Sequence, residues 1–230
     1  MNRLLAVGFV ATALLTAAFA KAEPVMTLIT VNTQDAAGYA AWAKSSAPVI
    51  AKANNATAMG LCSPTAGAEV MGDHYLWSFF DSQETAWGNS VMNPIVAAEV
   101  AKNDVERTVR TWDNWRIAKA AESTSDRGYF YNLWVKTDDL AGYLKALSNL
   151  EAELNERGHP INLQAFVGDT GTTAGTVMVS LGANDGPTLG RAMDARTEPW
   201  FGKILAKLDG DRVYEHGFAM ICETYYSATP

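Results

Sequence analysis

The stretch TDDLAGYLKA (137–146) repeats, at the same spacing, an earlier stretch, TQDAAGYAAW (33–42). Both carry T-x-D-x-A-G-Y, and Tyr39 and Tyr143 lie 104 positions apart. An Asp just ahead of a run of helix formers signals a helix N-terminus. A second pair agrees: NPIVAAEVAK (93–102) against EPWFGKILAK (198–207), with Pro94 and Pro199 105 apart, as are Lys102 and Lys207. A third, weaker pair is SFFDS (78–82) against SLGAN (180–184). Three landmarks in one order at nearly constant offset mark two copies of a unit of roughly 100 residues.

Each copy spells the same order of elements. In the second, YFYNLWVK (129–136) is aromatic and β-branched and reads as a strand. Asp138 or Asp139 then caps a helix whose stripe is Leu140, Tyr143, Leu144, Leu147, Leu150 and Leu154, with Gly158 as its stop. INLQAFVG (161–168) and TVMVSLGA (176–183) form a hairpin around DTGTTAG. A second helical region breaks before Pro199, since the residue ahead of a proline disfavours helix. RVYEHGFAMICETYY (212–226) is the closing strand. The first copy gives VMTLITVN, a helix from Asp35, ATAMGLC, HYLWSFF, another helical stretch and RTVRTWDNWRI. The pattern is β-α-β-β-α-β, twice, over 23–119 and 129–230, joined by the polar segment 120–128.

Ahead of the copies stands a leader, residues 1–22. Arg3 precedes an apolar run from Leu4 to Ala18, closed by small residues at Ala18, Ala20 and Ala22. This is the layout of a secretory signal cut after Ala20 or Ala22, and the run is shorter than the about 20 residues of a bilayer span. The expected product is exported, to the periplasm or beyond, with no membrane segment. With 48% hydrophobic and 19% charged residues, the full sequence is that of an ordinary globular chain. The net charge is −7, or −9 once Arg3 and Lys21 are removed, and no Lys/Arg stripe favours nucleic acid as a partner. Cys62 and Cys222 are too few for a disulfide framework or a Cys-based metal site. There is no dinucleotide or P-loop fingerprint, no nucleophile elbow and no H-E-x-x-H, and a metal site is not expected.

A β-α-β-β-α-β unit folds as a four-stranded antiparallel sheet with both helices on one face. The bare face needs cover, and two copies cover each other by packing sheet to sheet. The fold class is therefore α+β: two tandem ferredoxin-like repeats forming a pseudo-dimeric α/β barrel. In element order and repeat spacing the chain resembles the dimeric α/β-barrel superfamily, which includes the antibiotic-biosynthesis monooxygenase-like and NIPSNAP-like domains. That resemblance implies a monomer, as a pseudo-dimer, or a homodimer. It also implies that the second strand of one half lies beside the fourth of the other, which brings Cys62 and Cys222 to one seam. Strand parity points the other way, with Cys62 on the helix-facing set and Cys222 inward, so a bridge stays open.

Because successive strand residues face opposite sides, parity also proposes pocket residues. Leu133 and Val135 belong with the helices, leaving Asn132 and Trp134 inward. The same reasoning turns Gln164, Phe166, Met178, Ser180, Tyr214, His216 and Phe218 inward, and in the first copy His74 with Ser78. His159 sits in an exposed loop, and RTWDNWR (110–116) clusters cations and indoles without revealing its inward set. Aromatic walls with a few polar tips suit a small-molecule pocket, and equally a filled core with satisfied tips.

The leading expectation is an exported protein that holds a small aromatic or apolar compound between its sheets. Trp134 and Phe166 would be its walls, and Asn132, Gln164 and Ser180 its polar contacts. The resemblance implies that any chemistry is monooxygenase-like or isomerase-like and needs no bound cofactor, with His216 or Tyr214 moving the proton. The alternatives are a non-enzymatic binding or interaction module with a filled barrel, and haem binding through His216 as in chlorite-dismutase-like proteins. A cavity of about 300 Å3 or more between the sheets favours the first reading.

Overall fold

The computed structural model describes residues 22–121, 125–208 and 212–228. The leader, apart from Ala22, and positions 122–124 of the joint lie outside them. The strands are β1 (Val25–Asn32), β2 (Ala58–Ala66), β3 (Asp73–Phe80), β4 (Thr108–Lys119), β5 (Arg127–Thr137), β6 (Asn162–Gly168), β7 (Val177–Ala183) and β8 (Arg212–Ser227). The helices are α1 (Ala36–Ala53), α2 (Gln83–Trp87), α3 (Pro94–Ala101), α4 (Leu140–Glu156), α5 (Gly186–Asp194) and α6 (Pro199–Leu205). The chain is α+β, with six described helices around an eight-stranded antiparallel barrel.

The repeated motif explains itself at the start of α1 and α4. The hydroxyls of Thr33 and Thr137 accept from the backbone N–H of Asp35 and Asp139 at 3.1 and 3.2 Å. Each Asp carboxylate then accepts from the N–H of Gly38 or Gly142 at 2.8 or 2.9 Å. This satisfies donors that a helix start leaves orphaned. A Cβ at either glycine would stand 2.2 Å from the capping carboxylate, so glycine is what lets the cap close. Of the two candidate caps for α4, Asp139 serves. The tyrosine that follows, Tyr39 or Tyr143, is buried against the sheet. At the second landmark, Pro94 and Pro199 open α3 and α6, where a missing N–H costs nothing.

Hydrogen bonds run β1-β3-β2-β8-β5-β7-β6-β4 and back to β1. Within each half the order is fourth, first, third, second strand. The halves join where β2 meets β8 and β4 meets β6. The sheets thus close edge to edge into one barrel rather than lying as two separate layers, which removes every free edge. Three apolar clusters result. One lies between α1–α3 and the outer face of the first half, one between α4–α6 and that of the second, and one fills the barrel.

Two readings of side-chain direction are corrected here. Met59 and Leu61 face the helices, so Cys62 points inward, directly opposite Cys222 in the β2–β8 register, and the two form a disulfide. On β3 the inward set is Tyr75, Trp77 and Phe79. His74 and Ser78 therefore face the helix side, and His74 Nδ1 shares a 3.0 Å hydrogen bond with the Ser63 hydroxyl. In RTWDNWR, Trp115 pairs with Met26 and Asp113 with Leu28, so these two turn inward, while Trp112 is half exposed. The cations there pair with carboxylates rather than indoles: Arg110 with Asp73, and Arg116 with Asp169. No described helix is long and apolar enough to cross a membrane.

Candidate functional site

The barrel interior holds a chamber of about 220 Å3. Asn132 on β5, Gln164 and Phe166 on β6, and Met178 and Ser180 on β7 form one side of it. These are neighbours by register: Asn132 opposite Ser180, and Gln164 opposite Ser180 on its other side. The first half supplies Met26, Leu28, Tyr75, Trp77 and Phe79, and β8 adds Phe218, Met220 and the Cys62–Cys222 bridge. Exposed Ser125, Asp126 and Ser227 stand at the mouth. An eight-stranded barrel is about wide enough to be filled by side chains or to hold one small ligand.

Asn132 has 0% exposure, and its Oδ1 has no hydrogen-bond partner. Its Nδ2 meets only thioethers, Met178 Sδ at 4.0 Å and Met220 Sδ at 3.6 Å. A buried carbonyl oxygen left unpaired costs about 1–3 kcal/mol. Titratable groups are scarce in the lining. Burial raises the Tyr75 hydroxyl far above its ordinary pKa, helped by Asp73 and Glu69 and opposed by Arg110. Tyr75 is therefore a neutral donor and acceptor, not a base.

The predicted residues divide. Asn132, Gln164, Phe166 and Ser180 meet in the chamber. Trp134 and His216 point inward but stand outside its lining, in a ring cluster with Trp115 and Phe218. Trp134 lies 5.5 Å from His216 and 6.3 Å from Trp115 between centroids, and Phe218 stacks on His216 at 5.4 Å. Phe218 belongs to both the cluster and the chamber wall. The Nε atoms of Trp115, Trp134 and His216 are buried without partners.

Tyr214 is not inward. The β5–β8 register slips between Trp134 and Val135, so His216 faces Trp134 while Tyr214 faces Val135. Glu215 is the extra residue of this bulge, and it rotates Tyr214 to the helix side, 51% exposed. The expectation that Tyr214 points inward with His216 is therefore corrected. His159 is half-buried rather than exposed. The first-half wall (Tyr75, Trp77, Phe79) was missed, although HYLWSFF alternates in a way that parity can read once Leu76 is assigned to the helices.

A haem fits poorly. The chamber is below the roughly 300–1,000 Å3 of ordinary ligand pockets, and His216, packed between Trp134 and Phe218, stands outside it. Among the described residues no group of three or more His, Cys, Asp or Glu is placed to hold a metal ion.

No family model and no curated protein sequence matches the chain. Solved structures share the fold at low identity. A candidate monooxygenase from Lactobacillus acidophilus has a TM-score of 0.57 at 9% identity, over 89% of this chain and 95% of that one. A dye-decolorizing protein from V. cholerae has 0.53 at 8%, covering 89% and 95%. A heme-binding protein from Thermus thermophilus has 0.52 at 9%, covering 88% and 91%. These neighbours share the chain's α+β barrel fold.

Proposed function

We propose that this protein is an exported small-molecule carrier or sensor whose barrel chamber holds one compact aromatic molecule bearing a hydrogen-bond donor, such as a phenol. The observation that carries the reading is Asn132. It is a fully buried amide on the wall that also carries Gln164 and Ser180, with its carbonyl oxygen unpaired. Native structures pair such groups with protein or ordered water, and an exception needs a reason; a ligand O–H or N–H that meets the amide after a small shift of its side chain supplies one. At about 220 Å3 the chamber falls short of the 300 Å3 that favours a general ligand pocket, but it suits a single substituted ring, since an apolar cavity of about 150 Å3 takes up benzene.

Export rests on the leader 1–22, and the Cys62–Cys222 bridge supports it, because disulfides persist in oxidising compartments. We read the two halves, 23–119 and 129–230, as duplicated ferredoxin-like units. The equal strand orders and the twin Thr–Asp–Gly caps support this. The same features keep the antibiotic-monooxygenase-like and NIPSNAP-like groups as the relatives to compare, and make the single chain the equivalent of a dimer.

Thermal melts with phenol and toluene test the binding reading. Phenol raises Tm more than toluene, and Asn132→Leu removes the difference. Equal shifts in the native protein, or no shift with any small arene, would sink it. A second reading, cofactor-free oxygenation of the bound phenol, draws on the fold shared with the candidate monooxygenase. It predicts phenol-dependent oxygen uptake, and absence of uptake leaves the carrier.

A further inference from the structure

In the first half Trp42 fills the space between helices and sheet. Its indole donates to the Glu99 carbonyl at 3.0 Å, tying α1 to α3, and the Arg107 guanidinium sits over its ring at 5.8 Å. At the 104-residue offset of the opening motif, the second half has Ala146 in that place. At the 105-residue offset of the second landmark, Arg212 stands where Arg107 does. Loss of the indole opens the layer, and the Arg212 guanidinium lies instead over the Tyr214 ring, 4.9 Å from its centroid, at the edge of the opening.

What opens is a cleft of about 420 Å3 between α4, α5, α6 and the outer face of β5–β7. Its walls are mostly apolar, Leu133, Leu147, Leu150, Leu163, Leu181 and Phe201 among them, and Arg196, Arg212 and Tyr214 also line it. Tyr143 and Arg212 also line an adjoining polar pocket with Lys145, Lys207, Asn149 and Asp139. Among the described residues the one carboxylate there, Asp139, is engaged in capping α4. Lys145, Lys207 and Arg212 form no salt bridge among the described residues. An apolar cavity adjoining, among the described residues, three cations and one committed carboxylate matches a molecule with an aliphatic body and one anionic head.

We propose that this cleft is a second ligand site, distinct from the barrel chamber, and that it takes an amphiphilic monoanion of the medium-chain carboxylate class. The chain lies among the leucines, and the head meets Arg212 and Lys145. Guanidinium is suited to planar, two-point recognition of a carboxylate.

Calorimetric titration of the full-length mature protein decides it, with decanoate, decanol and decyltrimethylammonium as probes. Decanoate binds at least tenfold more tightly than decanol, the ammonium does not bind, and affinity rises about fourfold per added methylene from octanoate to decanoate. The double variant Lys145→Gln, Arg212→Gln brings decanoate down to the level of decanol while the affinity for decanol itself is unchanged. Equal affinity for decanoate and decanol in the native protein overturns the proposal. So does undiminished decanoate affinity in the double variant, which would place the site elsewhere.

Discussion

Asn132 sets stability and binding against each other at one residue. Its unpaired carbonyl oxygen sits among the thioethers of Met178 and Met220, where a leucine of similar size meets no polar penalty. Asn132→Leu is expected to stabilise the protein by about 1 kcal/mol in urea unfolding while lowering phenol affinity. A loss of stability would mean that the amide is already satisfied in the folded protein. His74 gives a residue-scale pH effect. Burial holds its imidazole below the ordinary 6.5, partly offset by Asp73, and it stays neutral beside Ser63. The unfolded chain takes up that proton near 6.5 and the folded one only at lower pH. The unfolded state therefore binds more protons in between, and stability falls as pH drops below 6.5. Urea midpoints measured from neutral pH downward should fall less steeply in His74→Gln than in the parent.

At the scale of elements, the twin caps and the seam between halves carry separate weights. Removing the Asp139 carboxylate strips the N–H of Gly142 of its partner, and Asp139→Ala should cost about 0.5–2 kcal/mol. Asp35→Ala, at the matching cap, should cost a similar amount, since both carboxylates make the same bond. The β2–β8 seam is also crossed by the Cys62–Cys222 bridge, over 160 residues of chain. Replacing both cysteines by alanine should lower unfolding free energy by about 2–5 kcal/mol, with the larger loss showing as a lower guanidinium midpoint. A double variant as stable as the parent would show that backbone pairing alone holds this seam.

For the whole molecule, closure is the decisive property. The inner face of the second half presents Trp134, Phe166, Met178 and Phe218, all covered by the first half. Alone, residues 129–230 would expose that surface together with the free edges of β6 and β8. Large apolar patches and open edges drive association. Light scattering on the isolated segment should find dimers or larger species. A cooperative, monomeric melt would show instead that each half is self-sufficient.

Sequence by itself carried what depends on local spacing. The T-x-D-x-A-G-Y repeat, the prolines that open α3 and α6, and the alternation of β5, β6 and β7 are all readable along the chain. So was the inward turn of Asn132, Gln164, Phe166 and Ser180. What it could not carry was anything set by contact between distant strands. The Glu215 bulge turned Tyr214 to the helices, and it arises from the pairing of β8 with β5, which no local pattern encodes. The Cys62–Cys222 bridge needed the β2–β8 register, and the separation of His216 from the chamber needed the ring of Phe218 between them. Periodicity is a property of one segment, whereas register and cavity shape belong to the closed barrel. Only tertiary structure could therefore decide which of the inward residues share a space.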